Sequence, residues 1–570
     1  MTASQVIVLA TPVFLLMIAG EYLWSLAARR AVYRFSDAIN SISLGVLSQL
    51  SGLFTKLLTV GIYAAVQQHV ALWQAPEFWS SAPGVVLALV FYDFCYYWQH
   101  RAGHEVAAVW ASHVVHHQSQ RYNLSTALRQ TSSGALLGWI FYLPMALAGV
   151  PATVMGIVAL IDLLYQFWVH TELVGKLGWF DRVFCSPSNH RVHHAVNDGY
   201  LDRNYGGILV LWDRLFGSFA EEREPCVYGT RSPLRSWDPM WANAEVYWGL
   251  LQDSWRARRW GDKLRVWIKP PGWRPPDVAA RWPKPAFDIR AVDEYAPPLP
   301  RAVAWFGALQ FLALLASVAT VLWTAGQWPR LHTALWSAAL LACYWALGAL
   351  LQGRLGLLAA LMVQAGALAT VSSALELHTL HYVAKPAVML LALAIVAQRA
   401  RAGELGRAEA WLLGAAMAAS LAGDVALMLP INAFVPGLAC FLVAHLCFLA
   451  LFRRGVPWFP SRVALLATLG TGAAMLLWMA PGLRDPALRI AVPVYVGVIA
   501  LMAAQAIGLA TLRRDAGAVA VAVGTAVFML SDSLIAVNRF VTPLALPGLW
   551  ILCTYYLAQV LIVLNAGRRA

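Results

Sequence analysis

Apolar runs of about 20 residues recur along almost the whole sequence, and they restrict the possible folds more than any other feature. A helix needs about 20 mostly apolar residues to cross the roughly 30 Å hydrocarbon core of a bilayer. We therefore expect an all-α, polytopic membrane protein with about fifteen transmembrane helices. Five predicted spans lie before residue 170, at 5–26, 39–66, 82–98, 132–149 and 151–168, and ten lie after residue 300, at 301–324, 332–351, 355–372, 378–398, 410–429, 434–452, 463–481, 491–511, 517–536 and 546–566.

The composition excludes an ordinary soluble protein, and the location of the charges predicts how the chain crosses the membrane. Hydrophobic residues make up 60% of the chain and charged residues 12%, which is about half the charged share of a typical globular protein. The net charge of +13 comes largely from arginines between apolar runs, a pattern typical of inner-face loops rather than of nucleic-acid binding. We expect the N-terminus outside and the insertions 99–131 and 170–300 in the cytoplasm. The basic segments are Arg29 to Arg34, Arg399 to Arg407, Arg453 and Arg454, Arg513 and Arg514, and Arg568 and Arg569.

Histidines are concentrated in one part of the sequence, since nine of the fourteen lie between residues 100 and 194. They form one H-x3-H and two H-x2-H-H patterns, and one more ends a predicted span. Positions i, i+3 and i+4 share a helix face, so each pattern can direct its imidazoles at one point. Nine imidazoles exceed what one ion can bind, so the patterns predict two transition metals rather than solvated or packing histidines. The predicted ligands are His100, His104, His113, His116, His117, His170, His190, His193 and His194.

The same region resembles a known family of membrane oxygenases. The histidine series is similar to that of the fatty acid hydroxylase and sterol desaturase superfamily. The surrounding NLSTALRQ, NYGGIL and WDRLFG stretches resemble its alkylglycerol monooxygenase branch. The resemblance implies a helical di-iron cap on the cytoplasmic face, which uses O2 to hydroxylate the ether-bearing carbon of an alkylglycerol. The hemiacetal product would collapse to glycerol and a fatty aldehyde.

The resemblance also bears on the source of electrons. Tetrahydrobiopterin is the reductant associated with that branch, and an acidic residue directly after the second histidine is linked with pterin use. Glu105 occupies this position here. The resemblance therefore implies that Glu105 binds the cofactor, and the alternative is a carboxylate on a helix surface.

Two carboxylates lie inside apolar runs of the C-terminal part, Asp424 in SLAGDVALML and Asp532 in FMLSDSLIAVNRF. A carboxylate within a membrane span is costly, so such residues usually pair or take part in chemistry. Lys385 begins a span at the same level. Four more polar side chains are expected in the same layer, from His445, Tyr555, Tyr556 and Gln559. A buried polar network that locks the helix bundle and a proton or solute pathway are the alternatives.

Residues 375–570 resemble the lysoplasmalogenase membrane family. The likeness rests on the order and spacing of AKPAVMLL, GDVALML, GLACFLVAHLCF, GTAVFMLSDSLIAVNRF and TYYLAQVLI. It implies hydrolysis of the vinyl ether of lysoplasmalogens, and a membrane-buried carboxylate is a suitable acid for protonating the enol-ether carbon. Asp424, Asp532, Lys385, His445 and Tyr555 are the candidate catalytic residues, and either aspartate can be the acid.

Together these features predict a bifunctional enzyme that degrades ether lipids. The expected parts are a di-iron domain at 1–225, a cytoplasmic Pro/Arg-rich linker at 226–300, additional transmembrane helices at 301–372 and a lysoplasmalogenase-like domain at 373–570. Its expected partners are the bilayer, alkylglycerol, lysoplasmalogen and an electron donor, in a bacterial inner membrane. One alternative is a hydroxylase or desaturase of a sterol, sphingolipid or acyl chain with a non-catalytic C-terminal bundle, and another is a transporter or metal-handling protein.

Overall fold

A computed structural model describes residues 2–429, 431 and 433–567, so the predicted basic tail of Arg568 and Arg569 lies outside the described residues. In this part of the chain the secondary structure is helical, apart from two isolated β-bridges that join Phe184 to Leu209 and Ala195 to Tyr228. The chain divides into two compact units, Met1–Pro329 and Arg330–Ala570. The fold is therefore all-α, as predicted.

The first unit contains fifteen α-helices within the described residues. Most are short, and only the first and the last are long and apolar enough to cross a membrane alone. The helices are α1 (Ala3–Ala27), α2 (Phe35–Lys56), α3 (Ile62–Val70), α4 (Pro76–Ser80), α5 (Ala82–Glu105), α6 (Ala107–His117), α7 (Leu124–Ala127), α8 (Leu143–Leu147), α9 (Ala152–Trp168), α10 (Pro187–His194), α11 (Leu211–Leu215), α12 (Pro239–Arg256), α13 (Trp260–Ile268), α14 (Pro276–Arg281) and α15 (Arg301–Thr324).

The second unit is a bundle of nine α-helices in the described residues, each long and apolar enough to cross a membrane. Small residues allow close packing: a Cβ at Gly423 would lie 2.7 Å from the ring of Phe441 on the next helix. The helices are α16 (Arg330–Leu351), α17 (Leu357–Ala374), α18 (His378–Arg401), α19 (Arg407–Met428), α20 (Phe434–Arg453), α21 (Arg462–Met479), α22 (Pro486–Arg513), α23 (Ala516–Ala536) and α24 (Pro547–Asn565).

The described helices include eleven candidate membrane spans, or twelve if α2 and α3, which are bent by 61°, count as one. All ten runs predicted after residue 300 fall on such helices. The predicted span 82–98 is part of α5, which continues to Glu105, and 151–168 is α9, which has only 17 residues. Neither helix is among the eleven. The expected total of about fifteen is therefore larger than the described helices support.

The predicted span at 132–149 is wrong. This segment consists of the 3-10 turns Gly134–Leu136 and Gly138–Tyr142, followed by the five-residue helix α8. Pro144 stands at the start of α8, where its missing N–H and fixed φ favour a new helix rather than the continuation of an old one. Gly138 lies so close to α5 that a Cβ would be 2.8 Å from the side-chain amide of Gln99. The apolar residues of this segment therefore pack against α5, and the helical stretch that they form, Gly138–Leu147, is too short to cross a membrane.

Residues 226–300, predicted as a linker, contain three helices. The backbone N–H of Ala107 at the start of α6 donates to the carbonyl of Lys269, and Gln118 after α6 donates to the carbonyl of Ala242 in α12. An ion pair of 2.7 Å joins Arg274 to Asp253 of α12. These contacts hold the segment against the helix that carries three of the predicted ligands. The nine prolines between 270 and 300 leave only α14 and one 3-10 turn helical.

Candidate metal centre

The nine predicted histidines converge in the first unit and form two sets. Within each set the ligand atoms all lie within 4.8 Å of one another, so each set could hold a metal ion. Seven of the nine histidines are at most 6% exposed, and His113 and His116 are partly buried. The five-histidine set is His100, His104, His113, His117 and His193, and the four-histidine set is His116, His170, His190 and His194.

Each histidine pattern lies on a helix or at the end of one. His100 and His104 are one turn apart near the C-terminus of α5, and the first H-x2-H-H pattern ends α6. His170 follows α9. The second H-x2-H-H pattern ends α10, an eight-residue helix that Ser186 caps by accepting from the N–H of Asn189. Because α6 and α10 each contribute to both sets, the two candidate ion sites share their supporting helices.

The distances between ring nitrogens are those expected of ligands around a cation. Five Nε2–Nε2 distances are 3.1 to 3.2 Å, among them His100 to His113 and His116 to His170. Two nitrogens about 2.1 Å from one ion and at right angles to each other would be about 3 Å apart. The side chains therefore have the spacing of a ligand shell.

The hydrogen bonds of His116 and His170 support this interpretation. Nδ1 of His116 lies 2.9 Å from the carbonyl of Arg129, and Nδ1 of His170 lies 2.7 Å from that of Gln166. A carbonyl only accepts, so both Nδ1 atoms carry the proton and both Nε2 atoms of the neutral rings present lone pairs. These Nε2 atoms are 3.1 Å apart and cannot hydrogen-bond to each other. A cation between them would remove the repulsion of the two lone pairs.

Burial favours the neutral imidazole, which is the form that binds a metal, at His116 and at the three histidines of α10. Desolvation lowers the pKa of His116 to about 4. Burial and the neighbouring imidazoles hold the pKa of His190, His193 and His194 well below the usual range. Nε2 of His193 is buried without a hydrogen-bond partner, while its Nδ1 lies 3.0 Å from the carbonyl of Arg203. This lone pair is therefore available to an ion.

The NYGG and WDRLFG stretches orient the five-histidine set. Nδ1 of His100 lies 2.8 Å from the carbonyl of Tyr205. The carboxylate of Asp213 accepts from the backbone N–H groups of Tyr205 and Gly206 at 2.7 and 2.8 Å, and from the hydroxyl of Ser218 at 2.7 Å. The buried Asp213 thus fixes the loop that holds the His100 ring. Sequence reasoning quoted both stretches but assigned no role to Asp213.

We predict that Asp213→Ala weakens metal binding by about 10- to 100-fold, because the loop that orients His100 loses three hydrogen bonds. Metal content after dialysis at defined free-metal concentrations measures the effect. Asp198→Ala is the matched control, since Asp198 is 91% exposed and pairs with Arg231 away from the histidines. Equal metal retention in the two variants would contradict the positioning role of Asp213.

Two buried arginines fix the four-histidine set. Arg129, 1% exposed, donates to the carbonyl of Val115 and to the side chain of Asn40, so its own carbonyl is held beside His116. Arg191 of α10 forms a bidentate pair with Glu222 and donates to the carbonyl of Thr171. It therefore holds α10 against the residue that follows His170. Neither arginine stood out in the sequence, because no pattern marks a buried arginine before its partners are known.

A cavity of about 600 Å³ adjoins both histidine sets within the first unit. His100 and His113 of one set and His116 and His170 of the other line it. The rest of its lining is mainly apolar and includes α1 and α15, for example Val8 and Leu322. A volume of this size and lining suits a lipid-like molecule.

Glu105 lies at the end of α5 with its side chain 47% exposed, and it accepts from Nε of Arg101 at 2.9 Å. It is in neither histidine set. In the structure it is one half of an i,i+4 surface ion pair, and its predicted link with a pterin stays a prediction.

The polar residues predicted in the C-terminal part form two groups in the second unit. In the first group Asp424 lies 3.5 Å from Nζ of Lys385 and accepts from the hydroxyl of Tyr555 at 2.8 Å. Asp424 is 2% exposed and Lys385 7%. Gln559 donates to Ser420 one turn before Asp424, and the Tyr556 hydroxyl is buried with no partner among the described residues.

The second group contains Asp532 and His445, together with Tyr495, which sequence reasoning missed. The hydroxyl of Tyr495 donates to Asp532 at 2.6 Å, and Nε2 of His445 lies 3.3 Å from the same carboxylate oxygen. Asp532 and Tyr495 line a mostly apolar cavity of about 80 Å³. The Phe528 ring contacts both groups, with centroids 4.8 Å from His445 and 5.5 Å from Tyr555. His445 therefore belongs with Asp532 rather than with Asp424.

The fold and the two histidine sets define a multi-pass membrane protein with an all-histidine candidate metal centre beside a lipid-sized cavity. Residues 85–218 match the fatty acid hydroxylase family, and residues 380–566 match the YhhN family. Alkylglycerol monooxygenase from Xenopus tropicalis is 36% identical over 308 residues, which cover 54% of this chain and 68% of that protein. Lysoplasmalogenase from Mycobacterium tuberculosis (strain CDC 1551 / Oshkosh) is 35% identical over 191 residues, 32% of this chain and 70% of that protein. The chain belongs to the fatty acid hydroxylase family through its N-terminal part and to the YhhN family through its C-terminal part.

Human alkylglycerol monooxygenase is 39% identical over 268 residues, or 47% of this chain. The matched region spans 59% of the length of the human protein. No solved structure matches this chain significantly.

Proposed function

We propose that this protein degrades ether lipids at two sites: an O2-dependent oxygenase that cleaves alkylglycerols in the first unit, and a hydrolase that cleaves lysoplasmalogens in the second. The observation that carries the first activity is the convergence of nine buried histidines beside a largely apolar cavity. The names of the relatives and the two family matches support both substrate classes.

Iron is the metal that we propose for both histidine sets, because imidazole suits iron and the fatty acid hydroxylase match points to non-haem iron. Two bound iron ions would activate O2 for insertion of one oxygen atom into the C–H bond next to the ether oxygen. The protein supplies neutral imidazoles, carbonyls that fix their orientation and a largely apolar cavity that excludes water from the alkyl chain. The hemiacetal formed in this way collapses to glycerol and a fatty aldehyde.

The electrons for this reaction must come from a donor outside the two histidine sets. We propose tetrahydrobiopterin or another reductant that approaches the exposed end of α5. Glu105 is a candidate contact for a pterin there, because its carboxylate is accessible and lies directly after the predicted ligand His104. We also propose that this end of the first unit faces the cytoplasm of a bacterium, as the distribution of arginines predicts.

In the second unit, Asp532 is the proposed acid of vinyl-ether hydrolysis because it lines a cavity and has two polar neighbours. Its proton would go to the carbon of the double bond that is remote from oxygen, giving an oxocarbenium ion. Water would then add to the cation, and the resulting hemiacetal would release a fatty aldehyde and the glycerol-containing alcohol. Tyr495 and His445 are placed to orient the carboxyl and to return the proton. Asp424, Lys385 and Tyr555 are proposed to support the reaction from the neighbouring group.

We predict that the two activities differ in their need for O2 and metal. Purified protein supplied with tetrahydrobiopterin as the electron donor should cleave alkylglycerol in air but not under argon, and removal of metal with a chelator should abolish this activity. Lysoplasmalogen hydrolysis should proceed equally in air, under argon and after chelation. Release of fatty aldehyde, measured by mass spectrometry, follows both reactions.

Each alternative function predicts a different outcome of this assay. O2-dependent turnover of a sterol, sphingolipid or acyl chain, without cleavage of alkylglycerol, would support the alternative hydroxylase. Bound metal without any O2-dependent turnover would support a metal-handling protein.

A further inference from the structure

One carboxylate in the cavity beside the histidines has no assigned role. Asp162 of α9 is 2% exposed and lines this cavity. One of its oxygens accepts from the side-chain amide of Gln166 at 2.5 Å, whereas Oδ1 is buried and has no hydrogen-bond partner. No ion pair to Asp162 occurs in the described part of the chain. A buried carboxylate left in this state is costly, so a partner is to be expected.

Asp93 of α5 is a neighbouring carboxylate that, unlike Asp162, has hydrogen-bond partners for both of its oxygens. Both aspartates approach Gly207, where a Cβ would lie 2.8 Å from Asp162 Oδ1 and 3.0 Å from Asp93 Oδ1. Asp93 accepts three hydrogen bonds, from the backbone N–H groups of Ile208 and Leu209 and from the indole of Trp212. Asp93 therefore holds the loop that contains Gly207. The same loop donates no hydrogen bond to Oδ1 of Asp162.

Asp162 also lies close to both histidine sets. Its partner Gln166 presents its backbone carbonyl to Nδ1 of His170, and its side-chain oxygen accepts from the hydroxyl of Tyr96 at 2.7 Å. The Tyr96 ring is 5.2 Å from the ring of His100. Asp162, Gln166 and Tyr96 thus form a polar group in a mainly apolar cavity, next to one predicted ligand from each set.

We propose that this polar group binds the free hydroxyl groups of the glycerol part of the substrate, with Asp162 Oδ1 hydrogen-bonded to one of them. The inference rests on the proposed alkylglycerol cleavage. The hydroxyls of an alkylglycerol lie only a few bonds from the ether carbon that reacts, so their subsite must be close to the metal ligands. The rest of the cavity is suited to the alkyl chain.

The test compares 1-O-hexadecylglycerol with hexadecyl methyl ether, which has the same alkyl ether but no hydroxyl group. Asp162→Leu should lower the ratio of kcat/KM for the glycerol ether over the methyl ether by about 3- to 10-fold, the usual contribution of one hydrogen bond between neutral groups. Asp162→Asn keeps the shape and covers the case in which the leucine variant does not fold. It keeps a hydrogen-bonding group at this position, so it should lower the ratio less than the leucine variant does. Leu164→Ala is the control, since Leu164 is an exposed residue of α9 that does not line the cavity, and it should keep the wild-type ratio.

The outcomes separate this inference from the function on which it rests. If wild-type protein supplied with tetrahydrobiopterin cleaves neither ether in air, the proposed oxygenase function fails. If it cleaves the glycerol ether but the ratio is unchanged in both Asp162 variants, the subsite is overturned while the function stands. An equal loss for both ethers, accompanied by loss of bound metal, would likewise overturn the subsite by showing that Asp162 acts only through the structure around His170.

Discussion

His193→Ala abolishes the O2-dependent cleavage of alkylglycerol while the hydrolysis of lysoplasmalogen continues at the wild-type rate. This is the expected result because Nε2 of His193 is a buried lone pair of the five-histidine set, and alanine removes it without replacing it. Loss of a ligand should cost more than the 10- to 100-fold that a supporting residue contributes, so we expect a loss of at least about 100-fold. Aldehyde release from each lipid and the metal content of the same preparation measure the effect.

The four-histidine set provides a parallel variant, and a histidine outside both sets provides the control. His116→Ala should also abolish ether cleavage, with bound metal falling below that of the wild-type chain, because each set could hold its own ion. His69→Ala should change neither activity, since His69 belongs to neither set. Loss of both activities from a folded His193→Ala variant would contradict two separate sites. Full ether cleavage in that variant would contradict the oxygenase proposal itself.

The sequence predicted the convergence of the histidines because eight of the nine follow helical spacing; their role as ligands stays a prediction. Residues three or four apart on a helix share one face, so each H-x3-H or H-x2-H-H pattern brings its rings together, and all nine predicted histidines, including the single His170, lie in the two sets. The residues that orient them could not be predicted in the same way. Asp213 acts through the backbone of Tyr205, and Arg129 acts through its own carbonyl, so neither contact leaves a spacing in the sequence.

The segment 132–149 shows that hydropathy alone can predict a membrane span where the chain does not form one long helix. Its residues are as apolar as those of a span, and only Pro144 and the glycines indicate that the helix is interrupted. The sequence analysis also overlooked Asp162, which is a carboxylate inside an apolar run just as Asp424 is. The expectation that such a carboxylate pairs or takes part in chemistry applied to both residues equally. Tyr495 could not be predicted from the sequence, because a tyrosine in a membrane span is common. Its role depends on the carboxylate of Asp532, which lies 37 residues away in the sequence.

In the second unit, Asp532→Asn should lower lysoplasmalogen hydrolysis by about 100- to 10,000-fold, the range that a positioned acid contributes. The amide keeps the shape of the side chain and accepts a hydrogen bond from Tyr495, but it has no proton to give to the vinyl ether. The thermal midpoint of unfolding should therefore change little. Tyr495→Phe is the matched variant: it removes the 2.6 Å hydrogen bond to Asp532 and keeps the ring, so hydrolysis should fall less than in Asp532→Asn.

Asp424→Asn should also lose hydrolysis, but for a reason that can be separated by experiment. The change leaves the buried Lys385 without its carboxylate partner, and breaking a buried ion pair in this way costs about 3 to 5 kcal/mol. A lower thermal midpoint should therefore accompany the loss of activity, unlike in Asp532→Asn. The double variant Asp424→Asn with Lys385→Met removes the unpaired ammonium and should recover the stability. If Asp424 takes part in the reaction, hydrolysis stays lost in the double variant. Recovery of both stability and hydrolysis would show that Asp424 and Lys385 only hold the helices together, and that Asp532, His445 and Tyr495 are the whole of the site.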